Sequence, residues 1–249
     1  MKRFRLHFVI APLIGLSLIG CKATKTAASK PKPKVQKEAG VVEPTVGKQP
    51  EKLAEDGVLL QIKADSLLAA AETKLQEQEP TSAIKDLDAI IILNPSNEDA
   101  YYTRAEAKLY LEYYAGSLRD INTVLDLNKN YMPAYLLRAD IFTFMEDYEK
   151  AIADYTYLLE NAPADPIALY RRGLARLESG AHGEALKDFN QFINGNEETE
   201  GIDFCGDCYL NRAQTHLYLG NLTEACADWQ TAAALGSQQA TEKLEQHCK

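Results

Sequence analysis

The chain has 249 residues, 46% of them hydrophobic and 25% charged, with a formal net charge of −9, the make-up of one or two ordinary globular domains. The charge is uneven: residues 1–20 hold three basic side chains and no acid, 22–56 hold eight lysines against five acids, and 57–249 hold 16 basic and 31 acidic residues, leaving −15. A body this acidic lacks the basic face that nucleic acid demands, so nucleic acid is excluded as a partner; basic partners, or plain solubility, suit it.

Residues 1–20 have the parts of a secretory signal: Met1 to His7 is positively charged, Phe8 to Gly20 is apolar apart from Ser17, and small residues precede the cut. The apolar run is too short to span a hydrocarbon core, so a permanent transmembrane helix is not expected. The ending Leu18-Ile19-Gly20-Cys21 resembles the lipobox of bacterial lipoproteins. By that resemblance the chain is cut before Cys21, which is then acylated. Several acyl chains would hold it stably, where a single chain binds only marginally. Lys22 stands where the inner-membrane retention signal of enteric bacteria has aspartate, which points to the outer membrane of a Gram-negative-type cell. The membrane would be met through the lipid anchor only.

Residues 21–56 follow as a tether of Lys, Pro, Ala, Thr, Val and Glu without an aromatic residue. Such a composition cannot bury enough apolar surface to order itself. Its lysines before Glu38 either touch anionic headgroups or are simply solvated.

From 57 to 249 the chain repeats one unit. Ala134 to Asp165 reads as two amphipathic helices broken at Glu146-Asp147 and ended by Pro163. Matching units cover about 64–97, 98–131, 132–165, 166–199 and, after a short insertion, 206–239, with a capping segment at 240–249. The first helix carries a small residue at Ala71, Ala105, Ala139, Gly173 and Ala213. The second carries one at Ala83, Ser117, Ala151, Ala185 and Ala225, followed by bulky Leu87, Ile121, Tyr155, Phe189 and Trp229. This small–small–large register at period 34 resembles the tetratricopeptide repeat. The resemblance implies an all-α fold: an α-solenoid of five stacked helical hairpins plus a C-terminal capping helix.

Two sets of charges repeat in the same register. Arg104, Arg138, Arg172 and Arg212 precede the small residue of the first helix, and Asp86, Asp120, Asp154, Asp188 and Asp228 precede the bulky residue of the second. Because the first unit has Ala70 in place of arginine, pairing within a unit would orphan Asp86. The expectation is therefore pairing between units, Asp86 with Arg104 and Asp120 with Arg138.

Beyond Cys21 lie Cys205, Cys208, Cys226 and Cys248, and an exported protein favours disulfides. With a turn at Gly236-Ser237, Cys226 and Cys248 are equidistant from Ser237 and face each other across an antiparallel helix pair. That pairing leaves Cys205 with Cys208, as a structural bridge of the insertion or as a redox-active pair at a helix start. Zinc is not expected, because one C-x-x-C supplies two ligands and no histidine completes a recognised spacing.

The sequence has no phosphate-cradling glycine loop, no H-E-x-x-H and no nucleophile elbow, so neither an enzyme nor a cofactor is expected. The resemblance instead implies a groove lined by the first helices that holds a peptide or helical segment of another protein. By that resemblance Tyr102, Leu136, Tyr170 and Leu210 project into it, with Tyr110, Phe144 and Tyr218 towards the far ends. Glu72, Glu106 and Asp140 lie alongside, with Arg171 in the fourth unit, and the acids favour a basic segment. Self-association through the groove or an end repeat is the alternative within the binding class. The Lys and Asn pattern with which some family members clamp a terminal carboxylate is absent, since Leu68 and Glu72 stand there.

Overall fold

The computed structural model describes residues 50–196 and 205–248. Every regular element in them is an α-helix. Residues 62–249 form the repeat unit, and the start of α1 belongs to a separate amino-terminal unit. The signal segment, Cys21 and most of the expected tether lie outside the described residues. The helix α1 (Pro50–Gln76) begins inside the stretch expected to be tether. A proline at its first position with Glu51 beside it is a helix-start signal that composition alone obscures. Among the described residues no helix is long and apolar enough to cross a membrane.

Five hairpins follow one another. The first is α1 with α2 (Pro80–Leu93), then α3 (Glu98–Tyr110) with α4 (Tyr114–Leu127), and α5 (Met132–Phe144) with α6 (Tyr148–Asn161). The fourth joins α7 (Pro166–Glu178) to α8 (His182–Asn196), the fifth joins α9 (Cys205–Tyr218) to α10 (Leu222–Ala234), and α11 (Gln238–His247) closes the chain. From α2 onward each helix packs on the next, and α3, α5, α7 and α9 also touch in sequence. This is an α-solenoid with the first helices of its repeats side by side on one face.

The small residues do what their spacing requires. Ala71, Ala83, Ala105, Ser117, Ala139, Ala151, Ala185, Ala213 and Ala225 are all fully buried. Gly173 is buried as well, and a Cβ there would stand 2.8 Å from the Phe189 ring, so the fourth hairpin tolerates nothing larger than glycine. Leu87, Ile121, Tyr155, Phe189 and Trp229 fill the space beside these contacts. Their burial is the main apolar gain of each hairpin, about 2 kcal/mol or more per large side chain.

Each hairpin turn is built alike. The backbone is left-handed at Gln78, Glu112, Glu146, Gly180 and Gly220. The N–H of the following residue reaches back to the last turn of the first helix: Tyr113 N to Lys108 O and Asp147 N to Phe142 O at 2.8 Å, Ala181 N to Arg176 O at 2.8 Å. This Schellman arrangement satisfies carbonyls that the helix end would orphan. Glycine takes the left-handed position in the last two hairpins, and Gln or Glu occupies it in the first three at a conformational cost.

The charge pairing differs from the expectation. Each arginine grips the aspartate of its own hairpin with two parallel bonds: Arg104 Nε and Nη2 to Asp120 at 2.9 and 2.7 Å, Arg138 to Asp154 at 2.7 and 2.8 Å. Arg172–Asp188 and Arg212–Asp228 repeat the geometry. The expected pairs Asp86–Arg104 and Asp120–Arg138 do not form. Asp86 is not orphaned, because Lys74, one turn beyond Ala70, reaches it at 2.5 Å. The same position supplies Lys108 to Asp120 and Arg176 to Asp188. The link between hairpins is made by the arginine's remaining nitrogen. Nη1 donates to Asp88, Asn122, Thr156 and Asn190, each two residues after the preceding hairpin's aspartate.

At the carboxyl end Cys226 and Cys248 are joined, with Cα atoms 5.9 Å apart. The bridge pins α11, whose Ser237 cap accepts from Ala240 N, against Trp229. Cys208 is buried in the cluster with Phe192 and Ile193, and the side chain of Cys205 lies outside the described residues.

Candidate protein-binding face

The face made by α1, α3, α5 and α7 carries a chain of polar side chains in repeat register. Glu72, Glu106 and Asp140 occupy equivalent positions in successive hairpins. Asp140 is drawn inward and held from two sides: the Tyr155 hydroxyl donates to it at 2.6 Å, and the Arg171 guanidinium of the next hairpin pairs with it. Burial still pushes its carboxyl above the usual range, opposed by Arg171 and the tyrosine bond. Burial also raises the Tyr155 hydroxyl well above its ordinary value, and the Asp140 charge adds to it.

Glu106 sits differently. Its carboxyl lies close to Tyr102, and burial together with the nearby Glu72 pushes it up to about 7. Tyr102 is itself raised well above its ordinary value, first by burial and then by the Glu106 charge. Its ring lies 5.5 Å from that of Tyr131, whose hydroxyl donates to Asp99 at 2.9 Å. Tyr102 is also near enough to Arg171 to favour that cation's charge. Tyr102, Glu106, Asp140 and Arg171 thus form one half-buried polar ridge across three hairpins.

The remaining expected groove residues divide by role. Leu136 is half-buried beside Ala139 and Tyr155, and Leu210 beside the Trp229 cluster. Tyr170 packs into its own hairpin, 6.1 Å from Phe189 and 5.5 Å from Phe192, and its hydroxyl accepts from Asn211 at 2.9 Å. Tyr110, Phe144 and Tyr218 each end their helix at the hairpin tips. Tyr110 and Tyr218 are 46% and 58% exposed, while Phe144 stacks on Tyr114. The second set of cations at Lys74, Lys108 and Arg176 escaped the sequence reading, although their spacing in the repeat register was visible. Among the described residues no cluster of potential metal ligands is found.

Side-by-side first helices, packed through small residues onto bulky ones in each hairpin, define an α-helical repeat solenoid. Residues 136–197 match the family model for the tetratricopeptide repeat. The fold is similar to that of MamA from Desulfovibrio magneticus, at 17% identity and a TM-score of 0.63 over 70% of this chain and 94% of that one. It is similar to YrrB, described as a TPR protein with an unusual peptide-binding site, at 16% identity and a TM-score of 0.61 over 72% and 90%. PilF of Pseudomonas aeruginosa matches at 15% identity and a TM-score of 0.61 over 72% and 79%. Comparison with curated protein sequences gave no match.

Proposed function

We propose that this chain is a non-enzymatic protein-interaction scaffold held at a bacterial cell envelope by a lipid anchor on Cys21. In this reading the tether presents the repeats, and the face of α3, α5 and α7 holds a segment of a partner protein. The observation that carries it is the ridge of Tyr102, Glu106, Asp140 and Arg171. Polar groups lie half-buried there along the first helices, with Asp140 tied to the core residue Tyr155 and to Arg171. Burying polar groups costs free energy, and a partner's contacts would return it. The peptide-binding description of YrrB supports the same reading.

The test has two arms. Crosslinked partners are captured on wild type and on a Tyr102→Ala/Leu136→Ala variant whose thermal melting confirms the fold. Tyr170 is spared because its ring fills its own hairpin. Loss of partners is expected; an unchanged set places the working surface elsewhere. In the second arm Cys21→Ser should release the protein from the membrane fraction, and retention there would sink the anchor.

A further inference from the structure

The ridge contains one carboxylate that the chain satisfies and one that it leaves to others. Asp140 receives a guanidinium from Arg171. The register-equivalent donor position for Glu106 is Leu137, and for Glu72 it is Thr103, both buried in hairpin cores. Neither Glu72 nor Glu106 makes an ion pair among the described residues, and Tyr102 is the neutral neighbour of the Glu106 carboxyl. The neighbouring cations are engaged elsewhere: Lys74 with Asp86, Lys108 with Asp120, Arg104 with Asp88 and Asp120, Arg138 with Asp154. The acidic excess of residues 57–249 favours cationic partners in general.

Resting on the groove reading above, we propose that the bound segment is basic and delivers a lysine or arginine side chain to Glu106 and Glu72, as Arg171 is delivered to Asp140. Tyr102 lies beside the Glu106 carboxyl, and half-buried Leu136 on the adjacent first helix would offer apolar contact to the stem of the incoming side chain. A terminal carboxylate or an acidic segment would meet like charge at the same place.

The full-length protein is titrated against degenerate peptide pools whose fixed central residue is arginine, lysine, norleucine or glutamate, read by fluorescence polarisation. The arginine or lysine pool should bind about tenfold tighter than norleucine, with glutamate weakest. Glu72→Gln/Glu106→Gln should erase that preference while keeping norleucine binding, since neither change alters volume. Equal affinities for arginine and norleucine, sensitive to Tyr102→Ala/Leu136→Ala, would overturn the basic partner and leave the groove standing. Preference for glutamate would overturn it likewise. Pools that bind none of these, or that ignore Tyr102→Ala/Leu136→Ala, would overturn both readings.

Discussion

Glu106 shows how a single half-buried side chain of the ridge bears on stability. Its carboxyl is raised from 4.5 to about 7, chiefly by burial and then by Glu72. A carboxyl whose folded value lies above its unfolded one binds its proton more tightly in the native state. Its contribution is therefore fully present below about pH 4.5 and is lost as pH rises through about 7. Glu106→Gln keeps the side chain's size and an acceptor oxygen beside Tyr102 and removes the charge. The variant should match wild type near pH 4 and exceed it by roughly 1–3 kcal/mol at pH 8, measured by urea unfolding at both values. A gain of equal size at both pH values would show that the charge is not the cause. The same sign of shift at Asp140 is tempered by its pairing with Arg171, which is how the ridge holds a buried carboxylate there.

At the scale of the hairpin, the arginine–aspartate clamp is the element that the repeat cannot lose cheaply. Asp154 is held by Arg138 alone among the described residues, whereas Asp120 has both Arg104 and Lys108. Removing the sole partner of a buried carboxylate leaves it uncompensated, at about 3 kcal/mol or more. Arg138→Ala should therefore destabilise more than Arg104→Ala, and Asn122→Ala, which removes only the link to the neighbouring hairpin, should cost less than about 1 kcal/mol. Thermal melts of the three variants check the order; an Asn122→Ala cost equal to Arg138→Ala would mean that the inter-hairpin arm dominates. Hairpin boundaries and cores were legible in the sequence, because Ala139 and Ala151 against Tyr155 is a steric pattern that only close helix crossing explains. The clamp's partners were not legible. An arginine carries five donors, and a period of 34 places an aspartate within reach on either side. Lys74, replacing the missing arginine one helical turn later, removed the orphan on which the inter-hairpin expectation stood. Glu112 and Glu146 likewise gave no sign of the left-handed turns that Gly180 and Gly220 announce. The groove was legible only as a register of positions; that Tyr170 fills its hairpin while Tyr102 joins the ridge depends on Phe189 and Phe192 beside it.

Over the whole repeat array, stability is a sum of hairpins and of interfaces between neighbours, so the ends decide where unfolding begins. The carboxyl end is closed by α11, a helix of 10 residues with Ala240 buried and Leu244 partly so. A helix so short does not persist without its contacts. The Cys226–Cys248 bridge closes a segment with a sequence separation of 22 and adds about 3 kcal/mol in the chain-entropy account. Trp229 beneath it is fully buried, 5.5 Å from the His247 ring, and is the sole tryptophan of the chain. Its emission therefore reports on the last hairpin and the cap packed on it, while the far-ultraviolet signal reports on all the helices. In a Cys226→Ala/Cys248→Ala variant the tryptophan signal should shift to the red at a lower temperature than the main loss of helix. The preceding hairpins, which meet the cap chiefly through α10, should then melt close to the wild-type temperature. A single coincident transition in the variant would show that the cap is coupled to the full array. The bridge would then stabilise every hairpin rather than close the last one.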